Sequence, residues 1–302
     1  MKILIAGKIC ENENLIREIS SMGHTVTEFP DERVSLVSRG ISPKDFEGVI
    51  CNGLFLYNDA REFLNLKYVQ LLSAGLDRVP VDYLNARGVK IFNAKGVYDI
   101  PISEFALCGV LDLYKRSAFF YENKKRRKFE KRRDLIELYG KTVLIVGCGS
   151  VGTECAKKFS AMGTKVLGVD IIKKTNPYFE SIYTINELDS ILPNADIVIL
   201  TLPLTEKTEG LFDEYRFSLM KKGSVIVNVS RGKVVVESAL ISALKTRLYG
   251  GVIDVFETEP LPNESELWSL DNAVITPHNS FVSENNDERL NGVILKNLKD
   301  MK

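Results

Sequence analysis

The stretch VLIVGCGSVG, residues 143–152, constrains the fold more than any other part of the chain. Four apolar residues run into Gly147, Gly149 and Gly152 in GxGxxG spacing, and the helical stretch TECAKKFSAMG follows. Such a stretch is a strand, a tight turn and a helix in immediate succession. The first glycine permits the turn, and the second lets the backbone approach a pyrophosphate. The third lets the helix pack closely on the strand, whose following helix N-terminus offers N–H groups to an anion. The next strand, KVLGVD, ends in Asp170, eighteen residues beyond Gly152. A carboxylate there suits the adenosine ribose hydroxyls of a dinucleotide. Its charge repels a 2′-phosphate, which favours NAD and makes NADP the lesser expectation, though Lys173 and Lys174 lie close enough to weaken that preference.

The same strand-and-helix rhythm runs through the rest of the chain. KILIAG, GVICNG, YVQLLSAG and VKIFNAKG are short apolar runs ending in turn residues, with the helical NENLIREISSMG after the first. A longer helical stretch spans Ile102 to Leu113. The rhythm then restarts with the glycine loop and continues through KVLGVD, ADIVILTLPLT, GSVIVNVS, LYGGVIDVF and NAVITPH. Alternating strands and helices argue for parallel sheets covered by helices. A chain of 302 residues exceeds one ordinary core. The expected fold class is therefore α/β, with two doubly wound parallel-sheet domains in series.

Composition narrows the function classes. Lys plus Arg and Asp plus Glu balance at 40 each, so the overall field favours neither nucleic acid nor an anionic membrane. The N-terminal MKILIAG lacks signal-peptide architecture, and no apolar run is long enough for a bilayer. Five scattered cysteines without a CxxC pair read as reduced thiols of a cytoplasmic protein, with no metal site. Between Lys124 and Arg133 lie eight basic residues. Phe129 is the one aromatic among them, and Glu122, Glu130 and Asp134 partly neutralise the run, so it reads as a solvated arm between domains.

Fold and cofactor do not name a reaction. In open α/β sheets ligands bind beyond the carboxyl ends of strands. Three polar residues follow late strands: Arg231 after VIVNVS, Glu259 after GGVIDVF and His278 after NAVIT. Singly, each has an ordinary explanation as a surface ion, a loop carboxylate or a hydrogen-bonded histidine. Together beside a nicotinamide site they supply a cation, a carboxylate and a proton acceptor, the parts needed to oxidise a hydroxy acid. The other histidine, His24 in MGHTV, is expected to be an exposed turn residue.

The ordered segments LLSAGLDRVPVD, ISEFAL, LYGKTVLIVGCGSVG, LTLPLTEKTEGLF, VIVNVSRGKVVVESAL, GGVIDVFETEPLP and LWSLDNAVITPHNS resemble the D-isomer-specific 2-hydroxyacid dehydrogenase family over most of the chain. The resemblance implies a Rossmann NAD-binding domain, residues 98–282, inserted in a flavodoxin-like substrate domain made of residues 1–97 and 283–302. It also implies a homodimer. Arg231 matches the arginine that holds the substrate carboxylate, His278 the general acid/base and Glu259 the carboxylate that orients the imidazole. Ala74, Gly75 and Leu76 match the loop whose N–H groups grip the substrate. The resemblance further assigns cofactor contacts to Gly147, Gly149, Ser150, Val151, Asp170, Leu202, Pro203, Thr208, Val229, Asp254, His278 and Ser280.

The chain departs from the family pattern at Phe281, where a small residue is usual, and at Val236 and Ser103. Glyoxylate, hydroxypyruvate, pyruvate, branched 2-keto acids and 3-phosphoglycerate all suit this set of residues. The loop NGLFLYND is expected to turn Leu54 and Phe55 toward the substrate side chain, giving it apolar character. An alternative function is an NAD(H)-sensing binding protein with little turnover, since corepressors of the C-terminal binding protein type resemble the same family. Formate oxidation is disfavoured because that branch carries glutamine where Glu259 stands.

Overall fold

A computed structural model describes residues 1–301 of the chain. The chain forms two compact units, Met1–Tyr98 with the segment from Ser283 onward, and Asp99–Val282.

The first unit runs β1 (Lys2–Ala6), α1 (Glu13–Ser21), β2 (Thr25–Phe29), β3 (Gly48–Cys51), β4 (Tyr68–Leu71), α2 (Val81–Ala86) and β5 (Lys90–Phe92). Its five strands are all parallel, in the order β2-β1-β3-β4-β5. The α1 helix forms because Leu15 and Ile19, four apart, bury one stripe, while the Asn12 side chain accepts the Leu15 N–H at 3.1 Å and caps the first turn. The C-terminal helix Asn286–Lys299 belongs to this unit. Its Leu290, Ile294 and Leu298 are buried with Ile3, Ile5 and Tyr68 on one face of the sheet.

Two sequence expectations fail in this unit. His24 is buried, not exposed, because parallel pairing of β1 with β2 sets Thr25 opposite Lys2 with its N–H on Met1 O, and the imidazole Nδ1 lies 3.2 Å from the Met1 amine. Leu54, expected to turn toward the substrate side chain, turns inward instead. It is fully buried in the core with Phe46 and Phe63, where its apolar surface leaves water. Phe55 packs edge-on against Phe63 at 5.5 Å. With Tyr57 and Arg78 it lines a cavity of about 550 Å³.

The second unit runs α3 (Asp99–Tyr114), α4 (Ser117–Lys125), β6 (Thr142–Val146), α5 (Ser150–Ala161), β7 (Lys165–Asp170), β8 (Ser181–Thr184), α6 (Leu188–Ile191), β9 (Ile197–Leu200), α7 (Glu214–Leu219), β10 (Val225–Asn228), α8 (Glu237–Thr246), β11 (Gly250–Ile253) and β12 (Ala273–Ile275). The seven parallel strands lie in the order β12-β11-β10-β9-β6-β7-β8, which reverses direction between β6 and β9. Both faces are buried, so the strands read as continuous apolar runs whose residues alternate between two cores. Val143, Ile145, Ile197 and Ile199 enter one, and Leu144, Val146, Val198 and Leu200 the other. Gly109 sets the approach of α3 to β11, because a Cβ there would sit 2.5 Å from a Val252 methyl.

The basic run ends α4 and continues as irregular chain. Lys125 pairs with Glu122 at 2.7 Å, Arg132 pairs with Asp134, and the Phe129 side chain is almost entirely exposed. Among the described residues no helix is long and apolar enough to cross a membrane.

Candidate active site

In the second unit, the residues singled out from sequence gather at the carboxyl edge of one sheet. After β6, Gly147 adopts φ +99°, and its N–H bonds the Val169 carbonyl at 2.8 Å, tying the glycine loop to the end of β7. A Cβ at Gly147 would lie 2.7 Å from the Leu202 nitrogen, and one at Gly152 would lie 2.1 Å from the Gly147 oxygen. Both glycines are therefore required by backbone packing. Gly149 differs: a Cβ there would meet nothing within 4 Å. It caps the twelve-residue α5, whose Ser150 and Val151 supply first-turn N–H groups facing that space. An open cradle at a helix N-terminus fits the pyrophosphate of a dinucleotide.

The adjoining loop after β9 is held by threonines. Thr201 donates its hydroxyl to the Gly147 carbonyl at 2.6 Å. Thr208 donates to Pro203 O at 2.7 Å and accepts the Thr205 N–H at 2.8 Å, closing a turn beyond the buried Leu202. At the end of β7, Asp170 accepts the Ile171 N–H at 2.7 Å and pairs with Lys174 at 2.8 Å.

Arg231 is presented by the end of β10. The buried Asn228 accepts the Ser230 N–H at 3.1 Å and the Ser230 hydroxyl at 2.8 Å, and donates to Arg231 O at 3.2 Å. That network folds the chain sharply past the buried Val229 and leaves Arg231 partly exposed, its guanidinium donating to Ser230 O at 2.9 Å. The next residue, Gly232, touches the loop after β11, since its Cβ would fall 1.8 Å from Phe256 O. Glu259 lies in that loop. Its Oε1 accepts the Phe256 N–H at 3.1 Å and its Oε2 lies 2.8 Å from Nδ1 of His278.

His278 follows β12 with φ +49°, a conformation that non-glycine residues seldom adopt. The fully buried Asp254 at the end of β11 holds that turn. Its Oδ1 accepts the Thr276 hydroxyl at 2.6 Å and the Asn279 N–H at 2.8 Å, and its Oδ2 accepts the N–H of the buried Ser280 at 3.0 Å. The His278 N–H bonds Asp254 O at 2.8 Å. The Phe281 ring stands edge-on to the imidazole, with centroids 6.1 Å apart. Glu259 on one ring nitrogen and Phe281 beside the ring fix its direction. An imidazole with Nδ1–H on a carboxylate has Nε2 as its proton acceptor.

In the first unit, Ala74, Gly75 and Leu76 form the loop after β4. Asn93 donates to Ala74 O at 2.7 Å and Ser73 donates to Gly75 O at 3.0 Å. The three N–H groups of this loop have no protein acceptor among the described residues. Backbone N–H groups without a protein partner are available to an anion.

Sequence reading did not find Asn228, Thr201 or the structural burden on Asp254. Asn and Thr at strand ends were the available signal, and they are uninformative until the neighbouring strands are known. Among the described residues no group of three or more His, Cys, Asp or Glu could hold a metal ion.

The fold and the edge residues define a doubly wound dinucleotide-binding unit with a histidine–carboxylate pair and an arginine at its ligand edge. Residues 107–280 match the D-isomer specific 2-hydroxyacid dehydrogenase, NAD binding domain, and the chain belongs to that family. It is 31% identical over 247 residues to hydroxypyruvate reductase of Blautia hydrogenotrophica, covering 78% of this chain and 76% of that one. It is 30% identical over 237 residues to D-3-phosphoglycerate dehydrogenase of Methanocaldococcus jannaschii, covering 78% of this chain. The match covers 45% of that relative, so the chain spans about half of its length. Among solved structures, a probable 2-hydroxyacid dehydrogenase from Rhizobium etli in complex with NADP, HEPES and L(+)-tartaric acid superposes with a TM-score of 0.80. That pair is 26% identical, with 99% of this chain and 94% of the other covered.

Proposed function

We propose that the protein is an NAD(H)-dependent oxidoreductase interconverting a D-2-hydroxy acid and its 2-keto acid. The observation that carries this reading is the 2.8 Å contact between His278 Nδ1 and Glu259 Oε2, with the other carboxylate oxygen anchored on the Phe256 N–H. This pairing leaves Nε2 to take the 2-hydroxyl proton during oxidation and to return it during reduction. Negative charge on Glu259 favours the imidazolium that forms when the proton arrives. Arg231 binds the substrate carboxylate, for which a guanidinium fork offers two parallel donors, and the N–H groups of Ala74, Gly75 and Leu76 in the first unit are assigned to substrate binding.

The nicotinamide cofactor, when bound, supplies the hydride acceptor or donor. The open cradle at Gly149 and the helix start at Ser150 and Val151 hold its pyrophosphate, and Asp170 holds the adenosine ribose. Leu202, Pro203, Thr208, Val229, Asp254, His278 and Ser280 complete the assigned contacts. Tartaric acid, a 2-hydroxy acid, in the Rhizobium etli structure agrees in chemical class with this substrate. The first unit acts as the substrate domain and the second as the cofactor domain. Cytoplasmic location and homodimerisation belong to the same reading, the latter supported by the exposed Phe120, Tyr121 and Phe129.

The test follows NADH absorbance in the purified full chain against glyoxylate, hydroxypyruvate, pyruvate, a branched 2-keto acid and a phosphorylated one. Rapid oxidation with at least one acid is the expected result. Tight NADH binding with negligible turnover on all of them would overturn the enzyme reading in favour of an NAD(H)-sensing binding protein.

A further inference from the structure

The loop after β4 is bolted to the segment after β5 through its carbonyl oxygens. Leu72 O accepts from the Tyr98 hydroxyl at 2.5 Å, Ser73 O from the Ala94 N–H at 3.0 Å and Ala74 O from Asn93 Nδ2 at 2.7 Å. Gly75 O is taken within the loop, by the Ser73 hydroxyl at 3.0 Å. A trans peptide is planar, and its C=O and N–H point opposite ways. The bond to Ala74 O therefore turns the Gly75 N–H away from Asn93. The bond to Gly75 O likewise turns the Leu76 N–H away from the Ser73 hydroxyl. Neither N–H has a protein acceptor among the described residues. The direction of the Asn93 amide is itself set: its Oδ1 accepts the Lys95 N–H at 3.3 Å, so the NH₂ end faces Ala74 O.

We propose that Asn93 is a positioning residue for the substrate: it orients the Ala74–Gly75 peptide so that the Gly75 N–H, beside that of Leu76, meets the oxygens of a 2-keto acid. The inference rests on the assignment of Ala74, Gly75 and Leu76 to substrate binding. Asn93 itself touches no substrate atom. The loop needs such an anchor because glycine is conformationally permissive, and the peptides on either side of Gly75 turn over at little steric cost. A flipped peptide presents a carbonyl oxygen where the N–H stood, and a carboxylate is repelled rather than bound. Asn93 holds the first of the two peptides in the donor-outward state, and Ser73 holds the second.

Steady-state kinetics of the full chain with NADH and its best 2-keto acid test this, beside fluorescence titration of NADH alone. Asn93→Ala is expected to raise KM for the keto acid about tenfold, the scale of losing one hydrogen bond to a charged group. Turnover at saturation, kcat, stays within about twofold, because an interaction common to ground and transition states sets KM alone. The Kd for NADH is unchanged. Ser73→Ala frees Gly75 O with Asn93 in place and raises KM in the same direction, so the proposal stays testable should Asn93→Ala not fold. Unchanged KM in the folded variant overturns it. So does a fall in kcat or a weakening of NADH binding as large as the rise in KM, which would mark a merely structural role. Oxamate, an amide analogue of a 2-keto acid, separates this proposal from the enzyme reading. If no keto acid is turned over, weaker oxamate binding to the NADH complex of Asn93→Ala sustains the role of Asn93 while the enzyme reading falls. Vigorous turnover with equal KM removes the role of Asn93 alone. If there is neither turnover nor oxamate binding, both fall.

Discussion

Gly232 and Phe256 meet backbone to backbone: a Cβ on Gly232 would lie 1.8 Å from the Phe256 carbonyl oxygen. This contact sets the turn carrying Arg231 against the loop carrying Glu259. Gly232→Ala must therefore push two strand-end loops apart, because neither partner is a flexible side-chain tip. Overpacking of this kind costs about 1–3 kcal/mol. Thermal unfolding should show a midpoint several degrees lower, with turnover reduced because Arg231 shifts from Glu259. An unchanged midpoint would show that the loops yield freely and that the contact sets nothing.

Much of the cofactor half could be read from sequence, because a strand, three glycines and a helix start lie within ten consecutive residues. Local periodicity carries that information. Arg231, Glu259 and His278 were findable for a related reason, since each lies in the turn or loop that follows an apolar strand. What could not be read depends on which strands are neighbours. Asp254 clasps the histidine turn only because β11 pairs with β12, and Gly232 meets Phe256 only because β10 pairs with β11. His24 and Leu54 were misplaced by the same blindness. A histidine after glycine reads as a turn until β2 is known to lie beside β1, and an apolar loop residue reads as facing a substrate until the core beneath it is built. The four-residue edge strand β8 was missed because its partly exposed SIYT has no strong alternation.

Asp254 gives the second prediction. Its two oxygens accept three bonds from the 276–280 segment with no solvent exposure. In Asp254→Asn one oxygen becomes an NH₂ group, so a donor must face a donor, most directly at the Ser280 N–H. An unsatisfied buried donor costs about 1–3 kcal/mol. The variant should unfold at lower denaturant concentration and lose turnover, because His278 hangs on this turn. Equal denaturation midpoints for the two proteins would count against the clasp.

The cysteines give a pH prediction. Burial disfavours the charged thiolate, and it pushes both Cys148 and Cys155 up to about 12. The sign follows directly: a raised thiol value means less thiolate at any lower pH, and the thiolate is the reactive form. At about pH 8 both should resist alkylation in the folded protein, although Cys148 lies inside the glycine loop. Cys108 is exposed and should label first, even though partial burial and then Asp112 raise its own value. Mass mapping of alkylated native and denatured protein distinguishes these. Labelling of Cys148 at the rate of Cys108 would mean that the glycine loop opens readily, and equal labelling of Cys155 that α5 lifts from its core.

The carboxylate beside His278 gives the prediction that reaches furthest into the chemistry. Glu259 accepts with both oxygens, from the Phe256 N–H and at His278 Nδ1. Glutamine keeps one oxygen. If that oxygen stays on the Phe256 N–H, the new NH₂ faces Nδ1 and donates to it. The ring proton then sits on Nε2, the atom that must accept from the 2-hydroxyl. Glu259→Gln therefore installs the wrong tautomer without removing the ring. General acid–base catalysis is worth about 10²–10⁴-fold. Both Glu259→Gln and His278→Asn should lose turnover on that scale while NADH binding changes little, as read by fluorescence titration. Glu259→Asp should recover part of the loss, because it keeps two acceptors on a shorter stem. Full turnover in Glu259→Gln would show that the carboxylate does not set the proton, and the acid/base assignment of His278 would lose its structural basis.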